Sequence, residues 1–280
     1  PFQAMSTLHS FTLLIVCILS ACQSPSQRED LSQSQNSDFF SGKNIVDLTH
    51  AFSDETVYWV TAREFELDTV AYGHTDKGYF YSAFNFSTAE HGGTHIDAPI
   101  HFAENRHSVD EIPLNRLMGQ AIKVDLTSKA QDDPDYQISV EDIMEWEDQH
   151  QKQIPDGAIV LLETGFAAHY PDKVAYLGTC ERGDSALDKM HFPGLSPAAA
   201  TWLVQNRNIK SIGLDTPSID YGQSSDFQSH VILLSENIPA FENLTNLDQL
   251  PSEGFTVIAL PMKIKGGSGG PLRIVAIVNG

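Results

Sequence analysis

A run of eleven residues, at positions 91–101, concentrates side chains that bind metal ions. The run reads HGGTHIDAPIH, so it contains three imidazoles and one carboxylate. Its glycines and proline disfavour a helix, and in an extended chain His91, His95, Asp97 and His101, all at odd positions, would project to one side. Neutral imidazoles with a carboxylate suit Zn²⁺ or Mn²⁺, and without thiolates there is no reason to expect a structural zinc knot. The sequence therefore predicts a site for one or two such ions.

The elements that must position this site are mainly strands. Short β-branched or aromatic segments between turn residues predict strands at 45–48, 79–86, 122–126, 158–162, 209–214, 257–260 and 274–278. Two helix starts are marked, one by Ser139 with Asp142 three residues later and one by Ser196 followed by Pro197. A helix that passes directly into a strand is typical of layered α/β folds. We therefore expect one α/β domain over residues 44–280, with a mostly mixed β-sheet core and flanking helices.

Four motifs occur in a recognisable order between about residues 44 and 278. They are IVDLTHAFSDETVYW, HGGTHIDAPIHF, IGLDTPSIDYG, and an end formed by His230, ENLTNLDQLP and IALPMKIKGGSGGPLRIVAIV. The second resembles the HxGTHxDxPxHF signature of the cyclase-like metal hydrolases, the family that contains bacterial kynurenine formamidase and isatin hydrolase. The other three are similar to the opening strand and substrate-side loop of that family, its GxDTPSxD segment and its end. The resemblance implies a swivelling β/β/α fold.

The resemblance also implies a ligand set. His91, His95 and Asp97 would bind a first ion, Asp97 could bridge to a second, and His230 and Glu242 would complete the site. The residues alone support Glu242, because it lies between apolar neighbours in PAFENL, where a carboxylate needs a charge partner. Without the resemblance, His230 is more readily interpreted as a capping or surface residue.

The same resemblance assigns the chemistry. A bound ion would lower the pKa of water and polarise a carbonyl, and His101 would act as the catalytic acid/base that passes a proton to the leaving group. Trp59 would either stack on a planar substrate or belong to the core, with equal weight. The run GGSGG at 266–270 matches the letters G-x-S-x-G, but it is interpreted as a turn that leads into the last strand and not as a nucleophile elbow, and Cys180 has no motif-level partner. We expect a hydrolase of a small cyclic or aryl amide, acting on C–N bonds other than peptide bonds; the alternative is a non-catalytic metal- or ligand-binding envelope lipoprotein.

The N-terminal residues indicate export. The run FTLLIVCIL at 11–19 is too short to span a bilayer, which needs roughly 20 residues, and it fits the apolar part of a signal peptide. Leu19-Ser20-Ala21-Cys22 resembles a lipoprotein box, which predicts a signal at 1–22 and lipid on Cys22; a buried or disordered N-terminal segment is the alternative. Residues 23–43 are polar and predict a flexible tether. For a Gram-negative source, this places the protein in the cell envelope, on the periplasmic face of the outer membrane.

The charge balance limits the partners. Seventeen Lys and Arg against 37 Asp and Glu give a net charge of −20, and such a polyanion repels the phosphate backbone of nucleic acids. Residues 1–22 carry no charged side chain, so membrane association must come from lipid rather than from basic attraction. The expected partners are a small-molecule substrate, a membrane reached through the lipid anchor and, by the resemblance, other copies of the chain in a homo-oligomer.

Overall fold

The computed structural model describes residues 40–279. The predicted signal peptide, the lipidation site at Cys22 and most of the predicted tether lie outside the described residues. From Gly42 onward the chain forms one compact unit. Within the described range, no helix combines the length and the apolar character that crossing a bilayer requires.

Strands and helices alternate along much of the chain. The strands are β1 Lys43–Asp47, β2 Glu66–His74, β3 Phe80–Ser87, β4 His95–Asp97, β5 Met118–Asp125, β6 Gln137–Ile138, β7 Ile159–Glu163, β8 Gly194–Leu195, β9 Ser211–Leu214, β10 Ala240–Glu242, β11 Glu253–Pro261 and β12 Gly269–Asn279. The α-helices are α1 Leu114–Leu117, α2 Thr127–Ala130, α3 Val140–His150, α4 Lys173–Leu177, α5 Pro197–Asn206 and α6 Gln228–Ser235. Short 3₁₀ turns cover Pro99–His101, Phe166–His169, Asp184–Lys189 and Leu247–Gln249.

The central sheet is mixed, as predicted. Its order is β1-β12-β11-β5-β7-β9-β10-β4, and β4 also pairs with β12. The inner steps from β5 through β7 and β9 to β10 are parallel, whereas the other pairings are antiparallel. Because β4 bonds to both β10 and β12, the sheet closes on itself at β4. The strand that carries His95 and Asp97 is therefore held from both sides.

The buried parallel strands explain why apolar runs mark the centre of the sheet. All five residues of β7 are buried, as expected for a parallel strand covered on both faces. Its side chains alternate between two cores: Val160 and Leu162 join the cluster under α3, α5 and α6, whereas Ile159 and Leu161 join the cluster inside the closed sheet. The two layers that pack on this sheet thus follow from the two-residue period of a strand.

Both predicted helix starts are confirmed. At α3 the amide of Asp142 donates to Ser139 Oγ over 3.2 Å, and the amide of Ser139 donates to Asp142 Oδ2 over 2.7 Å, which is a reciprocal capping box. At α5 the Ser196 hydroxyl accepts from the amide of Ala199, and Pro197 is the first helical residue. The helices that cover one face of the sheet are thus fixed by local sequence.

We expect Ser139→Ala to lower the free energy of unfolding by about 1 kcal/mol, because it removes a side-chain acceptor from the first turn of α3. Urea unfolding in the presence of chelator measures this difference. Ser128→Ala is the matched control, since Ser128 is exposed on α2 and caps no helix. Equal losses in the two variants would contradict a specific contribution from the cap.

Candidate metal centre

The loop and strand that carry the histidine motif are not one extended run. Only His95–Asp97 forms a strand, and Pro99–His101 turns as a 3₁₀ helix. Gly92 has φ +155° and Gly93 has φ +55°. The prediction that simple alternation along an extended chain aligns the four metal-binding side chains is therefore wrong. They still meet at one site, because the turns on either side of β4 fold the flanking histidines back over it.

Gly92 shows why this loop needs glycine. A Cβ built on Gly92 would lie 2.0 Å from Cδ1 of Tyr58, and Tyr58 forms a β-bridge with Gly92. No side chain fits in that space, so the backbone passes directly against the Tyr58 ring. The next strand is anchored by Thr94, whose hydroxyl donates to the carbonyl of Asn243 over 2.6 Å and accepts from the amide of His50. These contacts fix the backbone on which the metal-binding side chains stand.

Asp97 lies at the centre of the cluster. It is 1% exposed, and Oδ1 lies 2.7 Å from Nδ1 of His91 and 3.2 Å from Nε2 of His95. Oδ2 lies 2.9 Å from Nε2 of His230. Burial by itself raises the pKa of the Asp97 carboxyl, but the neighbouring imidazoles His91, His101 and His230 hold it well below its ordinary value. Asp97 is therefore an ionised carboxylate that reaches three imidazoles at once.

Glu242 approaches the same cluster from β10. In the antiparallel register of β10 and β4, Glu242 stands directly opposite His95. Its Oε2 lies 3.4 Å from Nε2 of His95, and its Oε1 lies 3.2 Å from Nε2 of His230. Burial, followed by the charge of Asp97, raises the pKa of this carboxyl. Two buried carboxylates that contact the same imidazoles require positive charge between them.

His230 enters the site from the first turn of α6. Its Nδ1 lies 2.6 Å from Oδ2 of Asp220, and Asp220 also accepts the amides of Ser229 and His230. Burial lowers the pKa of His230, but Asp220, Asp97 and Glu242 together raise it well above the ordinary value. Asp220 thus orients the imidazole and leaves Nε2 facing the carboxylates, as carboxylates do for metal-bound histidines. The surface-residue interpretation of His230 is excluded by its burial.

His101 borders the cavity beside the cluster. Its ring stacks on His91 with centroids 3.8 Å apart and an interplanar angle of 17°. Burial lowers its pKa to about 4, with Asp97 acting in the opposite direction. At neutral pH the imidazole is therefore neutral and can accept a proton.

The donor set fits a divalent cation. Potential ligand atoms of His91, Asp97 and His101 lie within 4.8 Å of one another, and so do those of His95, Asp97 and Glu242. Nε2 of His95 is buried and makes no hydrogen bond, although two carboxylates lie beside it. An ion between these atoms would give the imidazole a partner and neutralise the carboxylates. Nitrogen and oxygen ligands without thiolate suit Zn²⁺ and Mn²⁺.

Above the cluster lies a cavity of about 280 Å³ with aromatic walls. The rings of Trp59 and Phe227 lie 6.0 Å apart, and Phe227 lies 5.4 Å from Phe102. Trp59 lines this cavity and also packs edge-on against the buried Phe192, so it borders both the cavity and the core; stacking on a substrate stays a prediction. The site residues that border the cavity are His91, His95, Asp97, His101, His230 and Glu242.

Sequence reasoning missed several neighbours of the site. Ser268, in the glycine-rich loop before β12, has its Oγ 2.9 Å from Nε2 of His91 and donates to Glu90 over 2.6 Å. The adjacent Gly269 has no room for a side chain, since a Cβ there would lie 2.6 Å from Cε1 of His91. The loop GGSGG was a signal for this close approach. Phe227 carried no comparable signal in the sequence.

The comparisons with known proteins identify the family of the chain. Residues 46–221 match the family model described as Cyclase. The isatin hydrolase of Roseibium aggregatum is 30% identical over 222 residues, which cover 76% of this chain and 81% of the relative. The chain belongs to the cyclase family. The family predicted from the sequence motifs is thereby confirmed.

Two further members of the cyclase family extend the similarity. The kynurenine formamidase of Salinibacter ruber is 27% identical over 241 residues, covering 82% of this chain and 96% of the relative. The structure of isatin hydrolase A from Labrenzia aggregata bound to benzyl benzoate superposes with a TM-score of 0.77 at 32% identity, covering 86% of this chain and 95% of that one. The predicted α/β fold class is confirmed by this agreement.

His50, whose amide donates to Thr94 in the histidine motif, has a largely buried imidazole whose protonation can be tested. Its ring stacks on Tyr170 with centroids 3.7 Å apart, its Nε2 is buried without a hydrogen bond, and burial lowers its pKa to about 4. The imidazole of the unfolded chain titrates near 6.5. Between these two pKa values the unfolded state binds more protons, so stability falls as the pH falls through this window.

We therefore expect His50→Phe, which keeps a ring against Tyr170, to lose less stability than the parent protein between pH 7 and pH 5. The difference should be about 2 kcal/mol, measured by urea unfolding in the presence of chelator. His191→Phe is the control, because His191 is exposed and its ring faces Asp135. An unchanged pH dependence in His50→Phe would show that the imidazole of His50 is not buried in the neutral form.

Proposed function

We propose that the chain hydrolyses a small cyclic or aryl amide with the help of Zn²⁺ or Mn²⁺, and that His101 is the catalytic acid/base. The observation that carries this proposal is the buried cluster around Asp97, which opens into a cavity with His101 at its side. The enzyme class itself is established by the relatives. Since they are named isatin hydrolase and kynurenine formamidase, the prediction of an amidohydrolase that acts on C–N bonds other than peptide bonds is confirmed.

The contacts within the cluster support each ligand in this proposal. His91, His95 and Asp97 would hold the first ion. A second ion beside His230 is supported by the contacts of its Nε2 with Asp97 Oδ2 at 2.9 Å and with Glu242 Oε1 at 3.2 Å. A divalent cation at these ligands supplies Lewis acidity, which lowers the pKa of water and polarises a carbonyl. Asp220 keeps Nε2 of His230 directed at the carboxylates.

His101 is suited to moving the proton. Because its imidazole is neutral at pH 7, it can accept a proton from water at the cavity floor and donate it to the departing nitrogen. It is held beside the cluster by the stack on His91 and an edge contact with Phe102, whose centroid lies 4.5 Å away. This role needs no covalent intermediate on the enzyme.

The cavity wall supports a planar substrate. Trp59, Phe102 and Phe227 surround the entrance to the cluster, and aromatic walls bind flat rings through offset or edge contacts. The relatives described above are named isatin hydrolase and kynurenine formamidase. We therefore propose a lactam or an aryl formamide as the substrate class. We favour catalysis over the binding-only alternative, because a protein that only binds a metal or ligand has no need of a proton acceptor such as His101.

The proposal includes location and assembly. A lipid on Cys22 would attach the enzyme to the cell envelope, on the periplasmic face of the outer membrane, with residues 23–43 as a tether. In that location an exogenous lactam or formamide is a more accessible substrate than a cytosolic intermediate. By the family resemblance, the enzyme would act as a homo-oligomer.

Metal content tests the ligand assignment. Protein purified without added metal should contain Zn²⁺ or Mn²⁺ by elemental analysis, and chelator should abolish hydrolysis. We expect Asp97→Asn to lose nearly all bound metal, because Asp97 contacts ligands of both proposed ions, and Glu242→Gln to lose at most one equivalent. Asp248→Asn, at an exposed position, is the control. Full metal content in Asp97→Asn would contradict the assignment.

A substitution of His101 separates binding from chemistry. His101→Ala should keep the metal content of the parent enzyme and lose on the order of 10²- to 10⁴-fold in kcat, the range expected for a lost acid/base. His191→Ala, at an exposed histidine, should keep the parent rate. The assay is a panel of lactams, aryl formamides and lactones; a metal-loaded parent enzyme that hydrolyses none of them would favour the binding-only alternative.

A further inference from the structure

Ser268 connects the histidine motif to the carboxylate of Glu90. Its Oγ lies 2.9 Å from Nε2 of His91 and 2.6 Å from Oε2 of Glu90. The amide of Ser268 donates to the same carboxylate oxygen over 3.0 Å. Glu90, Ser268 and His91 thus form one hydrogen-bonded chain that ends at the metal centre.

The direction of each hydrogen bond in this chain follows from the residue types. An ionised carboxylate has no hydrogen to donate, so the hydroxyl of Ser268 donates its single hydrogen to Glu90. The oxygen of that hydroxyl can then only accept from Nε2 of His91, which must carry a hydrogen. In a neutral imidazole the other nitrogen, Nδ1, is then unprotonated. The chain therefore selects the tautomer of His91 that has a free lone pair on Nδ1.

This lone pair faces the cluster. Nδ1 of His91 lies 2.7 Å from Oδ1 of Asp97, and an ionised carboxylate oxygen also offers only lone pairs. Two such atoms at this distance repel each other unless a cation contacts both. A divalent ion that both atoms bind would remove the repulsion.

We propose that Ser268 and Glu90 are positioning residues for the first ion, because they hold His91 in the tautomer and orientation in which Nδ1 is the ligand atom. This assignment rests on the proposed function, which gives His91 to that ion. A partner that accepts the remaining ring hydrogen of a metal-bound histidine fixes the ring and raises its basicity. The support of the metal centre therefore extends through Ser268 to the carboxylate of Glu90.

The other two proposed ligand histidines are oriented by different groups. Nδ1 of His95 lies 3.0 Å from the carbonyl oxygen of Gly93, and Nδ1 of His230 lies 2.6 Å from Oδ2 of Asp220. Both rings therefore present Nε2 to the carboxylates of the site. His91 differs from them in presenting Nδ1, and its support is separate from theirs.

The backbone at Ser268 is fixed independently of its hydroxyl. Its carbonyl accepts from the amide of Ala98 over 2.8 Å. The next residue, Gly269, pairs with Asp97 in the antiparallel register of β12 and β4. Removal of the hydroxyl should therefore leave the loop in place and act on the ring of His91.

The first test measures metal affinity. The metal-free full chain, in a non-ionic detergent, is titrated with Zn²⁺ and with Mn²⁺ in competition with a chelating indicator. Ser268→Ala should raise the dissociation constant of the first ion about 10- to 100-fold, the range for a lost partner of a metal-bound histidine. Ser252→Ala is the matched control, because it also removes a hydroxyl 2.9 Å from an imidazole Nε2, that of His150 outside the site. It should keep the parent affinity.

A double variant distinguishes a chain from two independent contacts. If Glu90 acts through Ser268, Glu90→Ala should also weaken binding, and the double variant should bind no more weakly than Ser268→Ala alone. Independent contributions would instead multiply their losses, and that result would overturn the role of Glu90. Glu90→Gln should lose less than Glu90→Ala, since its amide oxygen can still accept from Ser268.

The second test observes the tautomer in the parent protein and needs no variant. With ¹⁵N-labelled imidazoles, two-bond correlations between ring nitrogens and ring hydrogens show which nitrogen binds zinc. Zn²⁺ should shift Nδ1 of one histidine whose Nε2 carries the hydrogen, and Nε2 of the other ligand histidines. Binding through Nε2 in every ligand histidine would overturn the inference.

The outcomes separate this inference from the proposed function. A parent protein that binds neither Zn²⁺ nor Mn²⁺ would overturn both. A parent protein that binds metal, with the same affinity in Ser268→Ala, would overturn the positioning role alone, and so would equal losses in Ser268→Ala and Ser252→Ala. Circular dichroism of the metal-free variants should match that of the parent protein, which distinguishes weaker binding from unfolding.

Discussion

The arrangement of the site depends on two buried carboxylates, Asp97 and Glu242, which contact the same two imidazoles, His95 and His230. Asp97 and Glu242 lie on neighbouring strands of a closed sheet, and both are almost inaccessible to solvent. Burying one uncompensated carboxylate costs on the order of several kcal/mol. The surroundings offset this cost with four imidazoles, and the raised pKa values of His95 and His230 show how strongly the carboxylates attract a positive charge. A divalent cation satisfies the same requirement without holding protons on the histidines.

The closed sheet makes this concentration of charge possible. β4 is only three residues long, and such a short strand at a free edge would be weakly held. Pairing with β10 on one side and β12 on the other fixes its backbone, so His95 and Asp97 cannot move away from Glu242. The apolar cluster inside the sheet, which includes Ile96 and Phe241, fills the space behind them. Rigid strands thus supply the ligands, and the 3₁₀ turn that follows supplies His101.

The parts that could be predicted from sequence are those set by local chemistry. Ser139 and Ser196 mark helix starts because a side-chain acceptor must satisfy the first amides of a helix. Strand β7 is recognisable by its apolar run at 159–162, because a parallel strand covered on both faces is apolar over most of its length. The grouping of His91, His95 and Asp97 could also be predicted, although the supposed extended run was wrong. Alternation accounts for His95 and Asp97 alone; His91 and His101 reach the cluster through backbone turns that the residue types do not specify.

What the sequence determined by itself is the set of side chains that can bind a metal, the family that shares them and the mixed α/β character of the fold. The tertiary structure decided which distant residues join them. His230 reaches Asp97 across 133 positions of the chain, and Ser268 reaches His91 across 177. The same holds for Phe227 in the cavity wall. Contacts of this kind arise from the closure of the sheet and the packing of whole elements, and local propensity carries no information about either.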